Sequence, residues 1–117
     1  MKKTKLKHII FFAGALAVLV LLVILLVQAS PKVTLFYGDT CPHCEELEAY
    51  IDEKDIDSKV DFRRLEVFRS QPNAKLLSAK AASCGLDQQS VGVPFLYDGQ
   101  KCYMGLEEVK GFFQQYE

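Results

Sequence analysis

The stretch that most restricts how this chain can fold is Val33-Thr34-Leu35-Phe36-Tyr37, followed after Gly38-Asp39-Thr40 by Cys41-Pro42-His43-Cys44. A short run rich in β-branched and aromatic residues predicts a strand, and Gly-Asp-Thr predicts a turn out of it. Pro42 suits the first position of a helix, where its missing N–H removes no hydrogen bond. Cys41 is then expected at the helix N-terminus. There, unpaired backbone N–H groups and the positive end of the dipole favour a thiolate over a thiol. The thiolate is the species that attacks disulfides, so two thiols at this spacing form a candidate exchange couple. His43 adds a second influence, because an imidazolium beside Cys41 stabilises the thiolate. Glu45, Glu46 and Glu48 are expected to face outward; the first two oppose the thiolate, and the dipole and His43 are expected to outweigh them.

A second constraint lies upstream. Ile9 to Val27 carries no charged side chain, and 19 helical residues at about 1.5 Å each nearly cross a bilayer's hydrocarbon core of about 30 Å. Lys2, Lys3, Lys5 and Lys7 precede the run and only Lys32 follows it closely. That asymmetry predicts a cytoplasmic N-terminus at residues 1–8, a single span at 9–27, a linker at 28–32 and an extracytoplasmic domain at 33–117. Cleavage after Ala29, as in a signal peptide, is the competing reading. The long apolar core and Pro31 argue for an uncleaved signal anchor.

The exported part holds ten Lys and Arg against fifteen Asp and Glu, a net charge of −5. It shows no basic patch and no Gly-rich phosphate loop, so nucleic acid is not an expected partner. Its expected elements are strand Val33–Tyr37, helix Pro42–Lys54, strand Val60–Val67 and a helix opening at Pro72-Asn73. Strand Phe95–Tyr97, strand Lys101–Met104 and helix Leu106–Tyr116 follow. Cys44, Leu47 and Ile51 share a buried helical face, and Val109, Phe112, Phe113 and Tyr116 share another. Asp98-Gly99 signals a hairpin and Gly85 a helix C-cap. The order β-α-β-α-β-β-α predicts an α/β domain: a four-stranded mixed sheet with helices on both faces, preceded by one transmembrane helix.

With this element order, Cys41-Pro42-His43-Cys44 at the first helix, Val93-Pro94 before the third strand and the closing hairpin and helix, the chain resembles the thioredoxin-like superfamily. The resemblance spans about residues 32–117, at glutaredoxin or minimal thioredoxin size. The Pro42-His43 pair is similar to that of DsbA-like disulfide oxidases. The resemblance implies that Cys41 is an exposed nucleophile and that buried Cys44 resolves the mixed disulfide. It also implies that Pro42 and His43 tune the thiol pKa. Pro94 is implied to be cis and to face Cys41, with the Val93 backbone pairing to an extended substrate. Protein thiols and disulfides are the implied substrates, a membrane redox protein the implied partner, and no cofactor beyond the cysteine pair is implied. One position departs from the pattern: Leu35 stands where thioredoxins carry a buried Asp. Glu48 or solvent must then handle the proton of the second thiol, which favours an oxidase or isomerase over a reductase.

Two alternatives stand beside this reading: a metal-binding or metal-delivery module, and a docking module whose cysteines are merely structural. Cys41, His43 and Cys44 are soft enough to hold Cu(I) or contribute to a Zn site, which makes the metal module the main one of the two. Cys84 and Cys102 are expected to form a separate structural disulfide, as suits a small exported domain. A second redox relay or two free thiols are the other possible states.

Overall fold

The computed structural model describes residues 1–28 and 32–117; the candidate cleavage position at Ala29, and Ser30 and Pro31 of the linker, lie outside the described residues. The chain forms two compact units, 1–30 and 31–117.

The first unit is one helix, α1 (Lys2–Gln28), of 27 residues. At 1.5 Å per residue it is about 40 Å long, and it is long and apolar enough to cross a membrane. The helix begins well before the apolar run. Lysine is a good helix former, and the His8 ring nitrogen Nδ1 lies 2.7 Å from the Thr4 carbonyl oxygen one turn back, so the basic segment continues the same helix.

The second unit has the expected order: β1 (Val33–Tyr37), α2 (Pro42–Glu53), β2 (Phe62–Glu66), α3 (Gln71–Ser83), β3 (Phe95–Tyr97), β4 (Cys102–Met104) and α4 (Leu106–Gln114). A 3₁₀ turn at Ile56–Ser58, absent from the sequence-based expectation, buries Ile56 beneath the acidic run that surrounds it. The sheet order is β2-β1-β3-β4, with β1 parallel to β2 and antiparallel to β3, and β3 antiparallel to β4. This is a thioredoxin-like fold. Strand β2 is shorter than the expected Val60–Val67.

Alternation along β1 sends successive side chains to opposite faces. Leu35 joins Leu47, Ile51, Leu96, Val109 and Phe113 under α2 and α4, whereas Phe36 packs with Leu77, Ala81 and Phe95 under α3. Fully burying rings such as Phe36, Phe95 and Phe113 contributes roughly 1.5–3 kcal/mol each. Helix α3 is capped at its start by Ser70, whose Oγ accepts from the Asn73 N–H. It is closed at its end by Gly85 at φ +74°, with the Leu86 N–H reaching back to the Ala81 carbonyl. The C-terminal ends of β1 and β2 and the start of β3 therefore lie at one end of the sheet. That end carries Cys41 and Pro94.

Candidate active site

Cys41 is the N-cap of α2, with extended backbone angles (φ −103°, ψ 110°), and Pro42 occupies the first turn. The Cys41 Sγ accepts from the backbone N–H of Cys44 at 3.2 Å, so a helix-terminal donor points at the sulfur that the sequence marks as nucleophile. Cys41 and Cys44 are disulfide-bonded, with Cα atoms 5.2 Å apart. Cys44 stands on the face that buries Leu47 and Ile51.

Pro42 and His43 are exposed on the outer side of this turn. The Val93–Pro94 peptide bond is cis, the geometry the resemblance implies, and the Cys41 Sγ lies 3.9 Å from the Val93 carbonyl oxygen. The Pro94 carbonyl is engaged by the Gly105 N–H at 2.8 Å, which ties the segment to the end of β4. Cys41, Cys44, Val93 and Pro94 thus converge, with His43 at the rim. Cys84 and Cys102 form a second disulfide, Cα atoms 6.2 Å apart, joining the end of α3 to β4.

Two expectations need correction. Cys41 is not an open, exposed thiol: it is 8% exposed against 4% for Cys44, because its sulfur is bonded to Cys44 and lies against the Val93 segment. Glu48 does not simply face outward with Glu45 and Glu46. Its two carboxylate oxygens accept from Arg64 Nε at 2.9 Å and Nη2 at 3.0 Å.

Arg64 had no assigned role in the sequence reading. It projects from β2 beside Leu35, its partner in the β1–β2 register, and its guanidinium lies 4.5 Å from the centre of the Phe62 ring. It also donates to both oxygens of Asp57, and those hydrogen bonds hold the Asp57 carboxyl below its ordinary pKa against the opposing effect of burial. In the sequence it is one of four charged residues in the expected strand Val60–Val67, with Asp61, Arg63 and Glu66, and nothing local sets it apart. Glu48 and Cys44 line one cleft of about 410 Å³, together with Tyr37, Thr40 and Asp52. An acidic group therefore stands near the second thiol. It comes from α2, whereas the β1 position, Leu35, is fully buried and apolar.

Fold and site together define a thioredoxin-like domain with a cysteine pair at the N-terminus of its first sheet-packed helix, facing a cis-proline. Solved structures that superpose on it include glutaredoxins. A wheat glutaredoxin matches with a TM-score of 0.51 at 19% identity, covering 77% of this chain and 75% of that one. The holo form of glutaredoxin C1 from Populus tremula x tremuloides gives 0.50 at 21% identity, with coverages of 74% and 77%. A buckwheat glutaredoxin–glutathione complex gives 0.50 at 15%, with coverages of 72% and 69%. At these identities the likeness establishes the fold. No protein-family model and no curated protein matches the sequence.

Proposed function

We propose that this chain is a membrane-anchored thiol–disulfide oxidoreductase that works on protein thiols and disulfides outside the cytoplasm. The observation that carries the reading is the Cys41–Cys44 pair at the start of α2, with the Cys44 N–H directed at the Cys41 sulfur and cis-Pro94 alongside. In the reducing direction the Cys41 thiolate attacks a substrate disulfide. A mixed disulfide forms and one substrate sulfur leaves as a thiolate. The Cys44 thiolate then attacks Cys41, closing the Cys41–Cys44 bond and releasing the second substrate thiol. Oxidation of a substrate dithiol is the same sequence in reverse, and either direction moves two electrons. The Val93 backbone pairs with an extended substrate segment. The Pro42-His43 pair and the apolar residue at position 35 favour the oxidase or isomerase direction. A membrane redox protein, either a quinone-linked oxidase or a carrier of reductant, resets the pair.

The test is disulfide exchange by the full chain in detergent, together with its reduction potential. Exchange that depends on the cysteine pair is expected, with a potential nearer about −120 mV than about −270 mV. A value at the lower end would reverse the assigned direction, and absence of exchange would overturn the function itself. Replacing His43 with Ala should raise the pH midpoint for alkylation of Cys41, since a cationic neighbour favours the thiolate. An unchanged midpoint would remove His43 from the tuning role.

For the anchor, α1 and the four lysines near its start support a single span with the N-terminus inside. The chain is expected to remain with membranes after an alkaline carbonate wash, with the C-terminal domain open to protease from the extracytoplasmic side. A mature protein beginning at Ser30 would identify the segment as a cleaved signal instead.

A further inference from the structure

The loop that leads into Cys41 is held from outside the cysteine motif. Glu66, the last residue of β2, accepts backbone N–H bonds from Phe68 at 2.6 Å and Arg69 at 2.9 Å, and another from Asp39 at 3.4 Å. The first two close the turn after β2. The third reaches across to the β1–α2 loop, two residues before Cys41. A second tie runs parallel to it, from Arg69 Nη2 to Asp39 Oδ2 at 2.7 Å. The Phe68 ring, 59% exposed, lies over Gly38 so closely that a Cβ there would come within 2.2 Å of it.

The loop needs this support. Thr40, immediately before Cys41, sits at φ +65°, a region that β-branched residues rarely occupy and that persists only where the surroundings impose it. On the other side Glu66 is fixed to α3, since its carbonyl accepts from Asn73 Nδ2 at 2.9 Å. Partial burial raises the Glu66 pKa, but the N–H groups of Arg69, Phe68 and Asp39 together bring it below the ordinary value. The ionised acceptor is therefore the form that holds the loops together at neutral pH.

We infer that Glu66 is a positioning residue for Cys41: its carboxylate joins the β2–α3 loop to the β1–α2 loop and so sets the geometry in which Cys41 meets the α2 N-terminus. The consequence for exchange rests on the function proposed above. Glu66 does not touch the reacting sulfurs; it acts through Asp39 and Thr40. The sign of its effect separates this role from simple electrostatics. Deleting a nearby negative charge should by itself ease formation of the thiolate and lower the Cys41 midpoint. Loss of positioning should do the opposite, because Cys41 then loses its alignment with the helix donors.

The experiment compares Glu66→Ala and Glu66→Gln in the full chain in detergent. Readouts are the pH midpoint for alkylation of reduced Cys41, the exchange rate, and hydrogen–deuterium exchange of the amides at 38–41. Glu66→Ala should raise the midpoint, slow exchange by roughly ten- to a hundredfold, as small misplacements of reacting groups do, and speed deuteration at 38–41. Glu66→Gln keeps an oxygen acceptor without the charge and should restore most of the rate. A Glu66→Ala chain with an unchanged or lowered midpoint overturns the proposal, as does unaltered deuteration at 38–41. If the wild-type chain shows no exchange at all, the functional reading fails, while the midpoint and deuteration still decide the positioning role.

Discussion

Cys41→Ser should reduce disulfide exchange to the uncatalysed rate, while Cys44→Ser should yield a chain that captures substrates and cannot release them. Exposure alone does not predict this asymmetry, since both cysteines are largely buried. Position does. Cys41 caps α2 and receives the Cys44 N–H, so its thiolate is stabilised where the helix presents free donors. Cys44 lies a turn further in, on the face that packs Leu47 and Ile51, whereas the Cys41 sulfur lies beside the Val93 carbonyl, where the proposed function places the substrate. Without Cys44 the mixed disulfide has no internal thiol to resolve it. The check is non-reducing electrophoresis and mass spectrometry of the full-length variants incubated with a disulfide-bonded protein. Covalent adducts should accumulate on Cys44→Ser and be absent from Cys41→Ser. Adducts on Cys41→Ser through Cys44 would exchange the two roles.

Replacing Cys84 and Cys102 together should lower stability by about 3 kcal/mol, because the bridge closes a loop 18 residues in separation. For a domain of this size that corresponds to a fall in Tm of roughly 12–24 °C. The location explains why the chain has use for such a staple. Strand β4 is three residues long, lies at the sheet edge and, among the described residues, pairs only with β3. The disulfide fastens it to the end of α3, which packs on the face formed by Phe36 and Phe95. Calorimetry and exchange assays on the double alanine variant decide the role. Lower Tm with exchange retained identifies a structural bridge. Lost exchange with Tm unchanged would make this pair a relay to Cys41 and Cys44.

Much of the architecture was readable from residue pattern alone, because it depends on short-range periodicity and local chemistry. Leu35 and Phe36 alternate across β1, Cys44, Leu47 and Ile51 repeat along α2, and Val109, Phe112 and Phe113 fill one face of α4. Pro42 starts α2 and Gly85 ends α3 for reasons that act within a few residues. The cysteine motif was legible for the same reason: the chemistry proposed for it rests on four consecutive residues. Ile56 was missed because one apolar residue among acidic neighbours has no periodicity to reveal it.

What only the tertiary structure decided are the contacts made between loops and strands far apart in the chain. Nothing local to Glu48 indicates that Arg64, sixteen residues on, will take both its oxygens beside the cleft of Cys44. Nothing near Cys41 indicates that Glu66 and Arg69 will hold Asp39, or that the Phe68 ring will cover Gly38. These pairings arise because the parallel β1–β2 register brings Tyr37 opposite Glu66 and delivers both following loops to the same end of the sheet. The sequence by itself determined which residues are candidates for the chemistry and which elements bear them. The three-dimensional pairing of strands decided which side chains surround the cysteines, since a charged or apolar neighbour acts through space and the spacing is set by the sheet.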